Sequence, residues 1–547
     1  MTGADILVRA LRDHGVRFCS TLCGNGLNPF FVACRKAGIQ VVDTRNEQAA
    51  SYMADAYARL TRRVGVCAVS SGIGHTNALS GVVNAYFDGA PMLLLSGASA
   101  QSGNELGKFQ ELDHVALAAP VCKYARVVDR AERMAFYVHE AFAMATSGRP
   151  GPVHLTVPID VLEAEVDPAT VIPTRGGRDE VRQQASGDPD LVREAAELIA
   201  NAERPVLIAG SGVFYAKGQD ALGRFATATV IPVVVPIWDR GAVPGPAEHF
   251  LGVIGAASGG PRLLPDADLV LMVGARVDYR IGYGHPPTMA KGARVVRVDV
   301  DAEELRRGLE PDVGILGDVR SVLDQLSGEM RRRGARPHRA WLEEARRRDR
   351  AFRARWIETP SPVAPPMTGR HVVDVLRPFV RDDALFLVDG GNIGQWAHMV
   401  LCDRYPGHWL TCGASGVVGW GLPGAMAAKS AYPDRPVILL SGDGSIGFTL
   451  TEFESAVRQG IPFVVVLADD RAWGIVVSGQ EARYGFDGVL ASRLGETRYD
   501  QVAEGLGAIG VRVERPEEIA PAIERGLRAD RPTLIHVPIQ GIGPADG

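Results

Sequence analysis

The sequence predicts an α/β protein built from three doubly wound parallel-sheet domains. Short apolar runs of strand length recur along the chain, separated by stretches of helical periodicity, which is the pattern of parallel sheets covered on both faces. Two stretches rich in proline, glycine and charge divide the chain into blocks of similar size. The 547 residues also match about three domains at roughly 150 residues each.

The first block spans residues 1–165. Ala4–His14 reads as an amphipathic helix with Ile6, Leu7, Ala10 and Leu11 on one side. Ile39–Val42, Val64–Val69, Pro91–Leu95 and Val153–Val157 read as buried strands. Residues 166–188 have the Pro, Gly, Arg, Asp and Gln content of a linker. The second block, 189–328, carries strands at Pro205–Ala209, Val230–Val235, Leu269–Val273 and Val295–Val300. A second linker holds a charged helical stretch, Trp341–Trp356, and then Pro360, Pro362, Pro365 and Pro366. Arg331–Arg333 and Arg346–Arg348, interleaved with Glu343, Glu344 and Asp349, read as a solvated helix face. The third block, 368–540, has strands at Ala384–Val388, Val437–Leu440, Pro462–Ala468 and Thr533–Val537.

Composition removes several function classes. A net charge of −5 is too mild for a nucleic-acid or membrane-surface partner. The 7 cysteines are odd in number and include no CxxC pair, so reduced thiols in a cytoplasmic protein are expected. Met1–Asp5 lacks the basic and apolar regions of a secretory leader. No apolar run approaches the roughly 18 residues of a membrane span.

The strand Val437–Leu440 runs into Ser441-Gly442-Asp443-Gly444-Ser445. Asp443 thus stands at the carboxyl end of a parallel strand, where α/β folds place their sites. The helix expected at Thr451–Gln459 would point its amino end at a bound anion. The next strand ends in Asp469-Asp470, followed by Arg471-Ala472-Trp473-Gly474. Gly442-Asp443-Gly444 alone would be a tight turn. Two acidic loops at one sheet edge suit Mg²⁺ or Ca²⁺ holding a diphosphate.

This pattern resembles the diphosphate motif of thiamine diphosphate enzymes, in which GDG is followed about two dozen residues later by NN or a variant. The resemblance implies Asp443, Asp470 and the Ala472 carbonyl as Mg²⁺ ligands. It implies Gly391, Asn392, Ile393, Gly444, Ser445, Trp473, Gly474 and Ile475 around the diphosphate. Asn is usual where Asp469 and Asp470 stand, so Asp470 is expected on the metal and Asp469 elsewhere.

Arg45–Arg59 is similar to the family's glutamate helix, NE-x-A-A-x-x-A-D-G-Y-A-R. Glu47 would share a proton with the coenzyme's pyrimidine nitrogen, and such an acid should be buried. Ser71–Asn77 resembles the SGPGATN turn, with Ile73 and His75 as departures. Gly416–Pro423 resembles the GTMG-F/Y-GLP segment, implying the Gly416 carbonyl and the Val418 wedge as coenzyme contacts. The three blocks then correspond to pyrimidine, central and diphosphate domains. Active sites would form between subunits of a homodimer or homotetramer.

Within the superfamily the chain is most similar to acetolactate synthases, which are 2-oxo acid decarboxylases and carboligases. Lys108-Phe109-Gln110-Glu111 resembles AFQE, and Lys123 falls on the PxxK lysine. Val273–Arg280 resembles VGARFDDR, which implies Arg280 as a grip on the acceptor's carboxylate. Leu22-Cys23-Gly24-Asn25-Gly26 replaces the YPGG loop over the thiazolium, and His75 replaces a small residue. Gly24, Asn25 and His75 are therefore expected to line the cofactor and substrate space, with His75 either a general acid/base or a packed ring. Gly210-Ser211-Gly212 is compatible with FAD but weak as a signal. Two other readings remain: a C–C lyase acting on a 2-hydroxyacyl-CoA or acyloin, and a non-catalytic binding homologue. The end, Gly543-Pro544-Ala545-Asp546-Gly547, offers no basic stretch for CoA phosphates. Retention of Glu47, Asp443 and Asp470 favours an enzyme.

Overall fold

A computed structural model of the protein describes residues 1–174, 185–239, 241, 248–255, 260–359, 367–401 and 409–541. Part of the first linker, the proline run Pro360–Pro366, Cys402 and the final Gly543–Gly547 lie outside the described residues.

Among the described residues, three parallel sheets of 6 strands each organise the chain. The first contains β1 (Phe18–Leu22), β2 (Gln40–Asp43), β3 (Gly65–Val69), β4 (Met92–Ala98), β5 (Ala125–Val127) and β6 (Pro152–Pro158), in the order β2-β1-β3-β4-β6-β5. The second contains β7 (Pro205–Ala209), β8 (Val233–Pro236), β9 (Phe250–Ile254), β10 (Leu269–Val273), β11 (Arg294–Asp299) and β12 (Val313–Leu316). Its order is β12-β11-β10-β7-β8-β9. The third contains β13 (Leu385–Asp389), β14 (Trp409–Thr411), β15 (Val437–Gly442), β16 (Val464–Asp469), β17 (Ile509–Arg512) and β18 (Thr533–Pro538). Its order, β14-β13-β15-β16-β18-β17, repeats that of the first sheet. In both, the strand order reverses between the first and third strands, which opens a crevice at their carboxyl ends.

Strands absent from the sequence reading are short, at an edge, or polar. β1 is central but carries Ser20 and Thr21, whose hydroxyls donate to Ala50 O and Ala68 O, each at 2.6 Å. Val230 is not in a strand: it caps the preceding helix with φ +60, and β8 begins at Val233. The charged helix is Arg339–Arg353, and it belongs to the second domain rather than to a free linker. Trp341, Leu342 and Ala345 are buried in that domain's core, and Trp341 Nε1 donates to Pro205 O at 3.0 Å. Its outer face is solvated, with Arg347 paired to Glu344.

The first four helices of the first domain are α1 (Gly3–Asp13), α2 (Asn28–Ala37), α3 (Glu47–Thr61) and α4 (Ile73–Asp88). One apolar cluster joins Phe18, Tyr52 and Met53 of this domain to Leu387 and Trp420 of the third. Trp420 is fully buried there and donates to Asp55 Oδ2 at 2.8 Å. The described cysteines are all free thiols. Among the described residues no helix is long and apolar enough to cross a membrane.

Candidate cofactor site

The crevice between β13 and β15 receives the loops Gly390–Asn392 and Gly442–Ser445. Asp443 opens a single helical turn, Asp443–Ile446, directly after β15. The helix expected at Thr451–Gln459 is present as Glu452–Arg458, capped by those two residues, and its first turn carries Glu452 and Glu454. Its first amides already donate to Thr449 O, Leu450 O and Thr451 O, so that amino end offers no free donors to an anion. Asp443 is 3% exposed, and its Oδ2 has no hydrogen-bond partner. Burial, then the charges of Asp470 and Asp469, push its carboxyl well above the usual carboxylate range.

Asp470 follows β16 and accepts from Asn392 Nδ2 at 2.8 Å. Asn392 Oδ1 is buried and unpartnered. A Cβ on Gly474 would lie 2.6 Å from Asp470 Oδ2, so glycine is required for this approach. Trp473 N donates to Ser492 O at 2.9 Å, and Ala472 is buried and bridged to Arg493. Asp469 turns the other way, to His536.

Crowded, partly unpartnered carboxylates call for a cation. Among the described residues no group of three or more His, Cys, Asp or Glu side chains could hold a metal by itself. Two carboxylates therefore fit a cation that keeps a phosphate as its partner.

The matching crevice of the first sheet lies between β1 and β3. Glu47 is the first residue of α3, behind the N-cap Asn46. Its Oε2 accepts from Asn77 Nδ2 at 3.0 Å, and a Cβ on Gly74 would stand 3.2 Å from its Oε1. Glu47 is only half-buried in the single chain, short of the enclosure expected for it. Gly24 packs on Ser70, and Asn25 Nδ2 donates to Ser99 Oγ at 3.3 Å. Gln110, at φ +55, accepts from Ser71 Oγ at 3.1 Å. Phe109 is 70% exposed, and Ile73 beside Gly72 is 61% exposed. Phe448, Ile475 and Val476 are also exposed, though less so, around the third-domain loops.

Gly416, at φ +71, and the half-buried Val418 lie between β14 and the helix Gly421–Ala431. The first residue of that helix donates its amide to Asp389 Oδ2 at 2.7 Å.

Three expected residues point elsewhere. His75 is fully buried, bonded to Ser96 Oγ at 2.8 Å and stacked on His114 with ring centroids 4.6 Å apart. Burial, then the neighbouring His114, push it down to about 3, so it is a packed neutral ring. The Lys123 ammonium donates to Arg149 O at 2.8 Å and to Ser147 O, away from the Glu47 loops. Arg280 is 3% exposed and spends its fork on Asp278, Asp239 and Ile237 O. A guanidinium neutralised by two carboxylates is not free to grip an acceptor. In the same place Ser211 N donates to Asp239 Oδ2 at 2.9 Å. That amide, which a nucleotide phosphate would need, is taken by a carboxylate.

Glu452 was missed. Fully buried, it accepts from Arg45 N at 2.9 and 3.1 Å, fixing the approach to α3. Burial pushes it up to about 7.

The N-terminal TPP binding domain of thiamine pyrophosphate enzymes matches residues 1–117, their central domain matches 192–326, and their C-terminal TPP binding domain matches 389–537. This chain belongs to the thiamine pyrophosphate enzyme family. A probable acetolactate synthase of Mycobacterium bovis is 32% identical to this enzyme, covering 98% of this chain and 95% of the relative. A probable acetolactate synthase large subunit of Methanocaldococcus jannaschii is 29% identical, with 98% and 92% covered. The 2-hydroxyacyl-CoA lyase 2 of Bos taurus is also 32% identical, with 94% and 86% covered. Overall identity therefore does not separate the two named activities.

Proposed function

We propose that this enzyme holds thiamine diphosphate through Mg²⁺, decarboxylates a 2-oxo acid, and joins what remains to a second carbonyl compound. The observation that carries this reading is the pair Asp443 and Asp470, with the unpartnered Asp443 Oδ2 and Asn392 Oδ1 beside them. When bound, the coenzyme supplies an electron sink beside a carbonyl.

The chain's own groups do the rest. Asp443, Asp470 and the Ala472 carbonyl bind the cation. Asn392, Gly444, Ser445 and Trp473–Ile475 surround the diphosphate. Glu47 holds a proton at Oε1, the oxygen that Asn77 leaves open. The Gly416 carbonyl and Val418 orient the ring system. Gly24, Asn25, Phe109 and Gln110 border the substrate space. No flavin enters this reading, because Asp239 already holds the Ser211 amide.

The bare apolar residues around both half-sites support assembly as a homodimer or homotetramer, in which the Glu47 loops of one subunit close over the Asp443 loops of another. That closure would complete the burial Glu47 lacks alone.

A second reading, lyase chemistry on a 2-hydroxyacyl-CoA or acyloin, is favoured by the occupied fork of Arg280, which leaves no carboxylate grip there. A panel of 2-oxo acids, acyloins and 2-hydroxyacyl-CoAs, with Mg²⁺ and thiamine diphosphate, tests both. CO₂ release with a mass gain on the acceptor supports the carboligase. Cleavage of the hydroxyacyl thioester or acyloin without CO₂ replaces it with the lyase.

A further inference from the structure

The segment Cys412–Ser415 comes just before Gly416 and Val418, and groups from the other two domains converge on it. Asp88, the last residue of α4, accepts from Ala414 N at 2.9 Å. Tyr279 of the second domain donates its hydroxyl to Ala414 O at 2.9 Å. Ser415 Oγ donates to Asn84 Oδ1, and Arg59 reaches Cys412 O at 3.4 Å.

Behind these contacts is a buried polar ring. Arg59 is 1% exposed, lies 3.5 Å from Asp55 and 3.3 Å from Asp88, and rests over the Trp420 ring. Asn84 donates to Asp55 Oδ2 at 2.8 Å, closing the ring. Gly413 shows how tight the fit is: at φ +105, its Cβ would stand 1.8 Å from Asp88 Oδ2.

The geometry points to Asp88 and Tyr279 as positioning residues that set the Cys412–Val418 loop from outside the cofactor site. Both contacts grip Ala414 from opposite sides of its peptide chemistry, one through N–H and one through C=O. Gly416 is two residues farther on and Val418 four, so little chain is left to absorb a shift. The anchors come from the first and second domains, and the loop they hold belongs to the third. The loop therefore reports their relative packing to the coenzyme, and a displacement of one bond's length reaches the Gly416 carbonyl. Catalytic groups tolerate such misplacement poorly. This inference rests on the reading that Gly416 and Val418 line the coenzyme.

The test uses the full-length enzyme with Asp88→Ala, Asp88→Asn and Tyr279→Phe. Hydrogen–deuterium exchange follows the Cys412–Val418 peptide, and calorimetry and kinetics follow thiamine diphosphate affinity and kcat. Asp88→Ala should speed exchange in that loop and lower kcat at saturating coenzyme by about 10- to 100-fold. Asp88→Asn keeps an acceptor for Ala414 N and should restore most of both. Tyr279→Phe, which only removes a hydroxyl, should give the same change in smaller degree, and it decides the matter if Asp88→Ala does not fold. Unchanged loop exchange in Asp88→Ala and Tyr279→Phe overturns the clamp itself. Faster loop exchange with wild-type coenzyme affinity and kcat overturns the positioning role. Equal losses in Asp88→Ala and Asp88→Asn, with faster exchange throughout the protein, would mean a purely structural contact. A wild-type chain that takes up no thiamine diphosphate sinks the reading of the site and the positioning role with it, while the exchange result still judges the clamp.

Discussion

His536 Nε2 lies 2.8 Å from Asp469 Oδ2, and this contact turns one of two adjacent carboxylates away from the crevice that Asp470 shares with Asn392. The same ring meets Asp500 Oδ1 at 3.2 Å through its other nitrogen. Neighbours in sequence therefore have different tasks. Asp469 belongs to the interior, and Asp470 faces the crevice with Asn392.

That division predicts opposite outcomes for two alanine variants. Asp470→Ala should leave folding intact and abolish Mg²⁺-dependent coenzyme uptake. Asp469→Ala should keep uptake and lower stability by about 1–3 kcal/mol, because a buried partner is left unsatisfied. Chemical denaturation and calorimetry on both proteins check the pair of expectations.

Glu47→Gln keeps the shape of the side chain and its acceptor for Asn77 but cannot share an acidic proton. Coenzyme affinity should stay close to wild type, while kcat falls by about 100-fold or more, as for the loss of a general acid–base group. Steady-state kinetics at saturating coenzyme measure this, and a variant that turns over normally removes Glu47 from the proton relay.

Glu452 makes stability depend on pH. Its folded-state value, about 7, is raised above the ordinary 4.5 by burial. Between these two values the folded chain binds more proton than the unfolded one, so its contribution to stability is lost as pH rises and levels off above about pH 7. Glu452→Gln lacks this titration. Its stability relative to wild type should climb by up to about 1.4 kcal/mol per pH unit through that window. Urea midpoints at pH 5 to 8 compare the two, and parallel curves would contradict the assignment.

Arg280→Ala strands Asp239 and Asp278 in a desolvated pocket. Stability should fall by about 3–5 kcal/mol, whereas KM for the carbonyl acceptor should not change in the folded protein. A selective rise in KM with unchanged stability would restore Arg280 to the substrate.

The placement of Asp443 and Asp470 at one sheet edge was legible because its signal is local. An apolar strand that stops at a carboxylate declares both its direction and its edge, and Asp443 and Asp470 do this on neighbouring strands. The glutamate helix was equally local. What could not be read was the direction of side chains and the identity of distant partners. Arg280 finds Asp239 41 positions away, and Glu452 finds Arg45 407 positions away. His75 stands in the first turn of α4, just after the Ser71–Gly72 turn, yet its ring turns inward to two other histidines. β1 was hidden because buried Ser20 and Thr21 read as polar until their backbone acceptors are known.

Calorimetric titration of thiamine diphosphate into the purified protein, with and without Mg²⁺, tests the central claim most directly. Uptake that requires Mg²⁺, survives Glu47→Gln and disappears in Asp470→Ala is the predicted result. No uptake, or uptake indifferent to both Mg²⁺ and Asp470, would contradict it.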